Sequence, residues 1–222
     1  MPRPPILDPQ AVPVIGTSAD LPAVPLERLT PAALRQRFET PPPWQPEFRG
    51  DGGLFAEREP AQAAVLVPLV ERPEGLSLLL TRRTAHLRAH AGQISFPGGG
   101  AEAEDDSPEA TALRETREEI GLAAEHIEVL GRLNEYVTVT NFHVTPVVAL
   151  VRPPFALALD AFEVAEAFEV PLAFLMDPAH HQRHRFEWDG GQREFLSMPW
   201  RDYFVWGATA AMLRNLYRLL SA

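Results

Sequence analysis

Apolar and polar positions change in short blocks along most of this chain, and the blocks predict a sequence of strands with a few helices. Ala63–Leu69 and Leu76–Thr81 read as two strands joined by a turn at Arg72-Pro73-Glu74-Gly75. Ser107 and Pro108 open a helix as N-cap and first-turn proline; it runs to about Ile120 and stops at Gly121. Further strands fall near Ile127–Thr138 and Val144–Val151, and Glu163–Phe168 reads as strand or short helix. Pro171–Met176 has the pattern of one helical turn. His184–Trp188 and Arg193–Ser197 flank Asp189-Gly190-Gly191, a hairpin signal. Trp206–Leu220 is a closing amphipathic helix, with Trp206 placed in the core. Strands mixed with few helices predict an α/β layered domain with a mixed β-sheet.

Residues 1–60 have a different texture: they hold 13 of the 23 prolines and few alternating apolar blocks. Within them Thr30 and Pro31 start a short helix that Pro41-Pro42-Pro43 ends. We read 1–60 as a Pro-rich N-terminal extension packed on the domain of residues 61–222, offering a contact for a homodimer.

Composition narrows the class. With 222 residues, 45% apolar and 23% charged, this is an ordinary globular chain. Its apolar runs are strand length, short of the roughly 18 residues a membrane span needs. Prolines interrupt the N-terminus where a signal peptide would need an apolar segment. Cysteine is absent, which removes disulfides, thiolate nucleophiles and zinc–sulfur sites. A cytoplasmic protein with no membrane partner is the resulting expectation. The net charge of −10 argues against nucleic acid as a partner. It leaves room for a small phosphorylated substrate gripped by metal ions or arginines; every basic residue other than histidine is arginine.

The candidate chemistry lies in Arg114-Glu115-Thr116-Arg117-Glu118-Glu119. On a helix, Glu115, Glu118 and Glu119 stand at i, i+3 and i+4 and share a face. Three carboxylates on one face repel unless a cation sits among them, and Arg114 alone does not neutralise them. A hard divalent ion that prefers oxygen ligands does. Gly98-Gly99-Gly100 before the helix lets backbone groups approach a metal or phosphate without side chains between. A solvated acidic face is the ordinary alternative; the glycine loop, the N-cap and the glycine stop together argue against it.

This loop–helix unit resembles the signature of the Nudix hydrolases, GX5EX7REUXEEXGU with U aliphatic. The match is the glycine loop, an acidic residue, and Arg114 through Leu122, with Thr116 in an aliphatic position. Counting back from Arg114 puts the acidic position on Asp106; with Gly99 as the signature glycine it is Asp105 and the spacer is one longer. The block Leu79 to Gly99, with Arg82, Arg83, Thr84, Leu87, Arg88, His90, Gly92, Gln93, Phe96 and Pro97, looks like the LLTxR(S/T)xxLRxHxGQxxFPGG segment of coenzyme A pyrophosphatases. Asn141–Val148 and Tyr203–Ala210 are similar to that subfamily too, so the resemblance covers most of 62–220.

The resemblance implies a Nudix-type α/β/α sandwich. It also implies hydrolysis of the diphosphate of coenzyme A or acyl-CoA to 4′-phosphopantetheine and adenosine 3′,5′-bisphosphate, with Mg²⁺ or Mn²⁺ held by Glu115, Glu118 and Glu119. Glu115, or Glu163 or Glu166 from the C-terminal half, is the candidate general base. Arg114 is assigned to orienting Glu118 or Glu119. Arg83, Arg88, His90, Gly99 and Gly100 are the candidate substrate contacts. Arg82 and Arg83 alternate across a strand, so at most one points inward, and the family pattern favours Arg83. Gln93 and Phe96 read as structural. Other diphosphates such as ADP-ribose, or a non-catalytic nucleotide-sensing domain, are the competing readings.

Overall fold

The computed structural model describes residues 6–51, 59–86 and 92–222. In chain order the elements are β1 (Val14–Thr17), α1 (Pro31–Glu39), β2 (Ala61–Arg72), β3 (Gly75–Arg83), β4 (Ile94–Ser95), β5 (Gly98–Gly100), α2 (Pro108–Ile120), β6 (Ile127–Arg132), β7 (Tyr136–Val137) and β8 (Phe142–Val151). They continue with β9 (Val164–Pro171), α3 (Leu172–Leu175), β10 (Gln182–Trp188), β11 (Gly191–Trp200), β12 (Tyr203–Trp206) and α4 (Gly207–Ser221).

The larger sheet runs β4-β3-β2-β8-β6, with β5 also on β2, β7 on β8 and β9 on β3. It is mixed: β2 and β8 are parallel over Ala61–Val70 and Phe142–Val151, and the other pairings are antiparallel. β2 and β8 are buried along most of their length, which explains their near-continuous apolar blocks. Each also carries a proline, normally excluded from central strands. Pro68 falls between the stretch of β2 that pairs with β5 and the stretch that pairs with β3. Pro146 likewise falls between the β7 and β6 ladders on β8. Both sit where the neighbouring strand changes.

α2 packs on one face of this sheet through Ala112, against Ala64, Leu66, Val147 and Ala149. On the other face lies the main core, where Leu69, Leu78, Leu80, Val148 and Leu150 meet Leu213, Leu216 and Leu220 of α4. The fold is α/β with a mixed sheet between helices. A second sheet, β1-β10-β11-β12, joins on the α4 side. Its β10–β11 hairpin turns at Asp189-Gly190, where Gly190 has φ +101°.

Residues before 60 are woven into both layers. β1 pairs with β10. Phe38 of α1 fills the space beside Gly131 of β6, where a Cβ would come within 2.9 Å of its ring. Phe48 exchanges backbone hydrogen bonds with the side-chain amide of Asn215, at 3.0 and 2.7 Å. Among the described residues no helix is long and apolar enough to cross a membrane.

Candidate active site

α2 is set by its ends. The Ser107 hydroxyl accepts from the Ala110 N–H at 3.2 Å, and Gly121 closes the helix in the left-handed region at φ +68°. That fixes the rotation of the helix, and its Glu115 and Glu119 are brought against the β5 glycines. The Gly98 N–H donates to Glu119 Oε2 at 3.1 Å. Gly99 lies directly under the Glu115 carboxylate: a Cβ there would stand 2.6 Å from its carbon and oxygen. Gly98, at φ +150°, sits as close to β2, where a Cβ would be 2.4 Å from the Ala64 carbonyl. The two glycines are therefore required by contact on opposite sides of one short strand.

Two arginines serve these carboxylates. Arg114 donates through Nε and Nη2 to Asp105, at 3.1 and 2.9 Å, and through Nη2 to the Gly100 carbonyl at 2.9 Å. Its Nη1 donates to Glu115 at 3.0 Å and to Glu118 at 3.1 Å. It thus orients Glu115 and Glu118; Glu119 takes its cation elsewhere, because Asp105 and Gly100 hold the guanidinium at the other edge of the face. Asp105 is itself fixed by the Glu102 N–H and the Thr111 hydroxyl; Arg114 above all, and then these donors, hold its carboxyl well below the usual range. Asp106 is exposed, so Asp105 is the acidic residue that braces Arg114.

Arg83 reaches Glu119 and Glu163, each at 3.5 Å, from the end of β3. A register shift between Arg82 and Arg83 sends the two apart: Arg82 pairs with Glu166 at 3.0 Å and lies over the Tyr203 ring. Of the two C-terminal glutamates, Glu163 is the one beside the cluster. Burial pushes the Glu119 carboxyl up to about 7, with Glu115 and Glu163 adding repulsion that Gly98 and Arg83 only partly offset. Glu115 is raised by burial as well.

A cleft of about 460 Å³ opens beside the glycines. Arg83, Gln93, Gly98, Gly99, Gly100 and Trp206 are among its walls. Gly98–Gly100 therefore border the cleft, Gly98 and Gly99 also touch Glu119 and Glu115, and Arg83 serves both.

Residues 60–188 match the NUDIX domain. The chain belongs to the Nudix hydrolase family. A Salmonella paratyphi B protein called "Uncharacterized Nudix hydrolase NudL" is 44% identical over 156 residues, 70% of this chain and 80% of that relative. A Salmonella newport protein of the same name is similar to the same extent. Among solved structures, the M. smegmatis Nudix hydrolase RenU is 26% identical with a TM-score of 0.44, over 62% of this chain and 84% of that one. A MutT/nudix family protein of Enterococcus faecalis is 18% identical with a TM-score of 0.47, over 86% of this chain and 75% of that one.

Nudix hydrolases act on small molecules and generally use divalent metal ions. In this member the donor set fits such an ion: Glu115, Glu118 and Glu119 offer hard oxygens, the first and last are under-neutralised, and Gly99 has no side chain to displace the Glu115 carboxylate. As they stand, the carboxylates face different partners, and among the described residues no three acidic or histidine side chains converge as a ready ligand group. Arg114 holds Glu115 and Glu118, while Gly98 and Arg83 hold Glu119.

Other sequence readings fare differently. Arg88 and His90 lie outside the described residues. Phe96 is in the core, 2% exposed. Gln93 accepts from the Arg83 N–H through its carbonyl at 2.9 Å and also lines the cleft. Trp206, expected in the core, is only half-buried in the cleft wall, because it precedes α4 as its N-cap and packs edge-on against Phe195. Arg193 and Asp51, also in that wall, had no sequence signal; they come from a hairpin and from the proline-rich segment.

Proposed function

We propose that this Nudix hydrolase cleaves the diphosphate of coenzyme A and its derivatives, giving 4′-phosphopantetheine, or its acyl form, and adenosine 3′,5′-bisphosphate. The observation that carries the reading is the shared glycine strand: Gly98–Gly100 line the cleft, Gly98 and Gly99 touch Glu119 and Glu115, and Arg83 reaches both cleft and carboxylates. The Leu79–Gly99 block, which supplies that wall and Arg83, supports coenzyme A over other diphosphates.

Glu115, Glu118 and Glu119 would hold Mg²⁺ or Mn²⁺, which would neutralise charge on the diphosphate oxygens and make a bound water more acidic. Arg114 keeps Glu115 and Glu118 aligned and anchors the Gly100 carbonyl. Arg83 donates to a diphosphate oxygen, and Glu119 and Glu163 fix its fork in the cleft wall. The proton of the attacking water passes to a carboxylate of this cluster, Glu115 or Glu163, both within the mutual field of the group.

The test is a substrate panel on the full chain with Mg²⁺ or Mn²⁺: coenzyme A, acetyl-CoA, ADP-ribose, a nucleoside triphosphate and a dinucleoside polyphosphate, with products separated by anion exchange. The highest kcat/KM belongs to coenzyme A or its thioester. A higher value for ADP-ribose overturns the substrate, and full turnover in EDTA overturns the metal assignment.

A further inference from the structure

The cleft has a second cationic wall that the diphosphate chemistry does not use. Arg193, on β11, lines it together with Arg83, and 17% of the Arg193 side chain is exposed. It also borders an adjoining cavity of about 230 Å³ lined by Phe48, Tyr136 and Phe195, so open space lies on two sides of it.

Its direction is fixed by a network drawn from three distant segments. Asp51 Oδ1 accepts from Arg193 Nη2 at 2.7 Å and from the Tyr136 hydroxyl at 2.8 Å. The backbone under Asp51 is locked in turn. Its N–H donates to the Val137 carbonyl at 2.9 Å, and the Val137 N–H donates to the Arg49 carbonyl at 3.0 Å. Gly50 is at φ +158°, and a Cβ there would stand 2.4 Å from the Val137 carbonyl oxygen, so the approach requires glycine. Tyr136 is 1% exposed; burial and the Asp51 charge push its hydroxyl up, so it stays a donor.

This arrangement holds an arginine still without using it up. Asp51 takes one guanidinium nitrogen, and among the described residues the Arg193 side chain makes no hydrogen bond or ion pair other than this one. A guanidinium has five N–H donors in a planar fork, a shape suited to a phosphate or carboxylate. The same cleft presents Trp206 and Phe142, aromatic faces of the kind that pack on a nucleoside base.

We infer that Arg193 is a second anion-recognition point, which binds a phosphate monoester that the substrate carries in addition to its diphosphate. The substrate class is then a nucleoside diphosphate derivative with a further phosphate on its sugar. The inference rests on the diphosphate reading of this cleft: coenzyme A meets it through its 3′-phosphate, whereas ADP-ribose does not. Tyr136 and Asp51 are positioning residues.

The test is calorimetric binding of adenosine 3′,5′-bisphosphate and adenosine 5′-monophosphate to the full chain, in wild type, Arg193→Gln and Arg193→Lys, with melting temperatures recorded alongside. The wild type binds the bisphosphate about tenfold tighter or more, as expected for one forked arginine–phosphate contact. Arg193→Gln removes that margin and leaves the monophosphate within about twofold, while Arg193→Lys keeps part of it because an ammonium does not fork. If Arg193→Gln does not fold, Arg193→Lys decides: an undiminished margin overturns the proposal. A wild type without the margin, a margin that survives in Arg193→Gln, or equal weakening of both ligands overturns it too. Kinetics with coenzyme A and 3′-dephospho-CoA separate the two readings. If coenzyme A is the best substrate but Arg193→Gln leaves the ratio of the two kcat/KM values unchanged, Arg193 is wrong and the function stands. If coenzyme A is not cleaved but the bisphosphate margin depends on Arg193, the function is wrong and the anion site stands.

Discussion

Glu47 and Glu119 each have arginine for a partner, and they come out oppositely. Glu47 accepts from Arg214 and Arg218 at 2.7 Å each and from Arg183 at 3.1 Å, and these partners hold its carboxyl below the usual range in spite of burial. Arg214, with no exposed surface, is held further by His181, whose Nδ1 accepts from it at 3.0 Å. Since His181 Nε2 lies 2.8 Å from the Leu175 carbonyl, the ring is the neutral Nε2–H tautomer. Glu119 is more enclosed, 7% exposed against 19% for Glu47; burial, with one arginine at 3.5 Å and two glutamates nearby, raises its carboxyl to about 7. In the first arrangement the carboxylate charge is met within the chain. The second has a charge deficit, which marks it as a place for something the chain does not supply.

The comparison can be broken or sharpened by four measurements. Glu119→Gln should lower kcat on coenzyme A by about a thousandfold, in the range seen when one essential electrostatic group is lost, while the melting temperature in EDTA at pH 8 holds or rises because a poorly compensated charge is gone. A variant with wild-type kcat would end the idea that this deficit is functional. Glu47→Gln should do the reverse: kcat within about twofold, and stability in urea lower by about 3 kcal/mol, because Arg214 is left buried without its counter-charge. An unchanged urea midpoint would reduce the Glu47 network to decoration.

The third measurement is the pH dependence of stability. His181 is pushed down to about 4 by burial, against about 6.5 when unfolded. The unfolded ring therefore binds a proton that the folded one refuses. The contribution is complete above about 6.5 and is lost as pH falls toward about 4, by up to roughly 3 kcal/mol. Urea unfolding at pH 7 and pH 5 shows the loss, and His181→Gln should flatten it. The smallest effect is at Thr116, which is fully buried in α2 with a hydroxyl that has no partner among the described residues. Thr116→Val should raise stability by about 1 kcal/mol; a drop in melting temperature would show that the hydroxyl is satisfied.

Sequence reading was strongest where local rules act. The caps of α2 and the Asp189-Gly190 turn follow from spacing and turn chemistry, and the structure shows each. It was blind where a contact joins distant segments. Glu47 meets Arg214 from 167 residues away, and Asp51 meets Arg193 from 142. The pairing of β1 with β10, and so the second sheet, has the same origin, since a four-residue strand carries little pattern. Trp206 was misplaced because the sequence reads it as the first residue on the apolar face of the closing helix, whereas it is the N-cap and sits at the cleft.

The parallel pairing of β2 and β8 bears on how the protein folds. These strands are about eighty residues apart in the sequence, and between them lie β5, α2 and every glutamate of the acidic face. Closing so long a loop is slow, because its entropy is lost before the ladder forms. The glycine wall that receives Glu115 and Glu119 is itself bound to β2. In a refolding time course, recovery of turnover should therefore trail helix formation and coincide with the burial of the central strands.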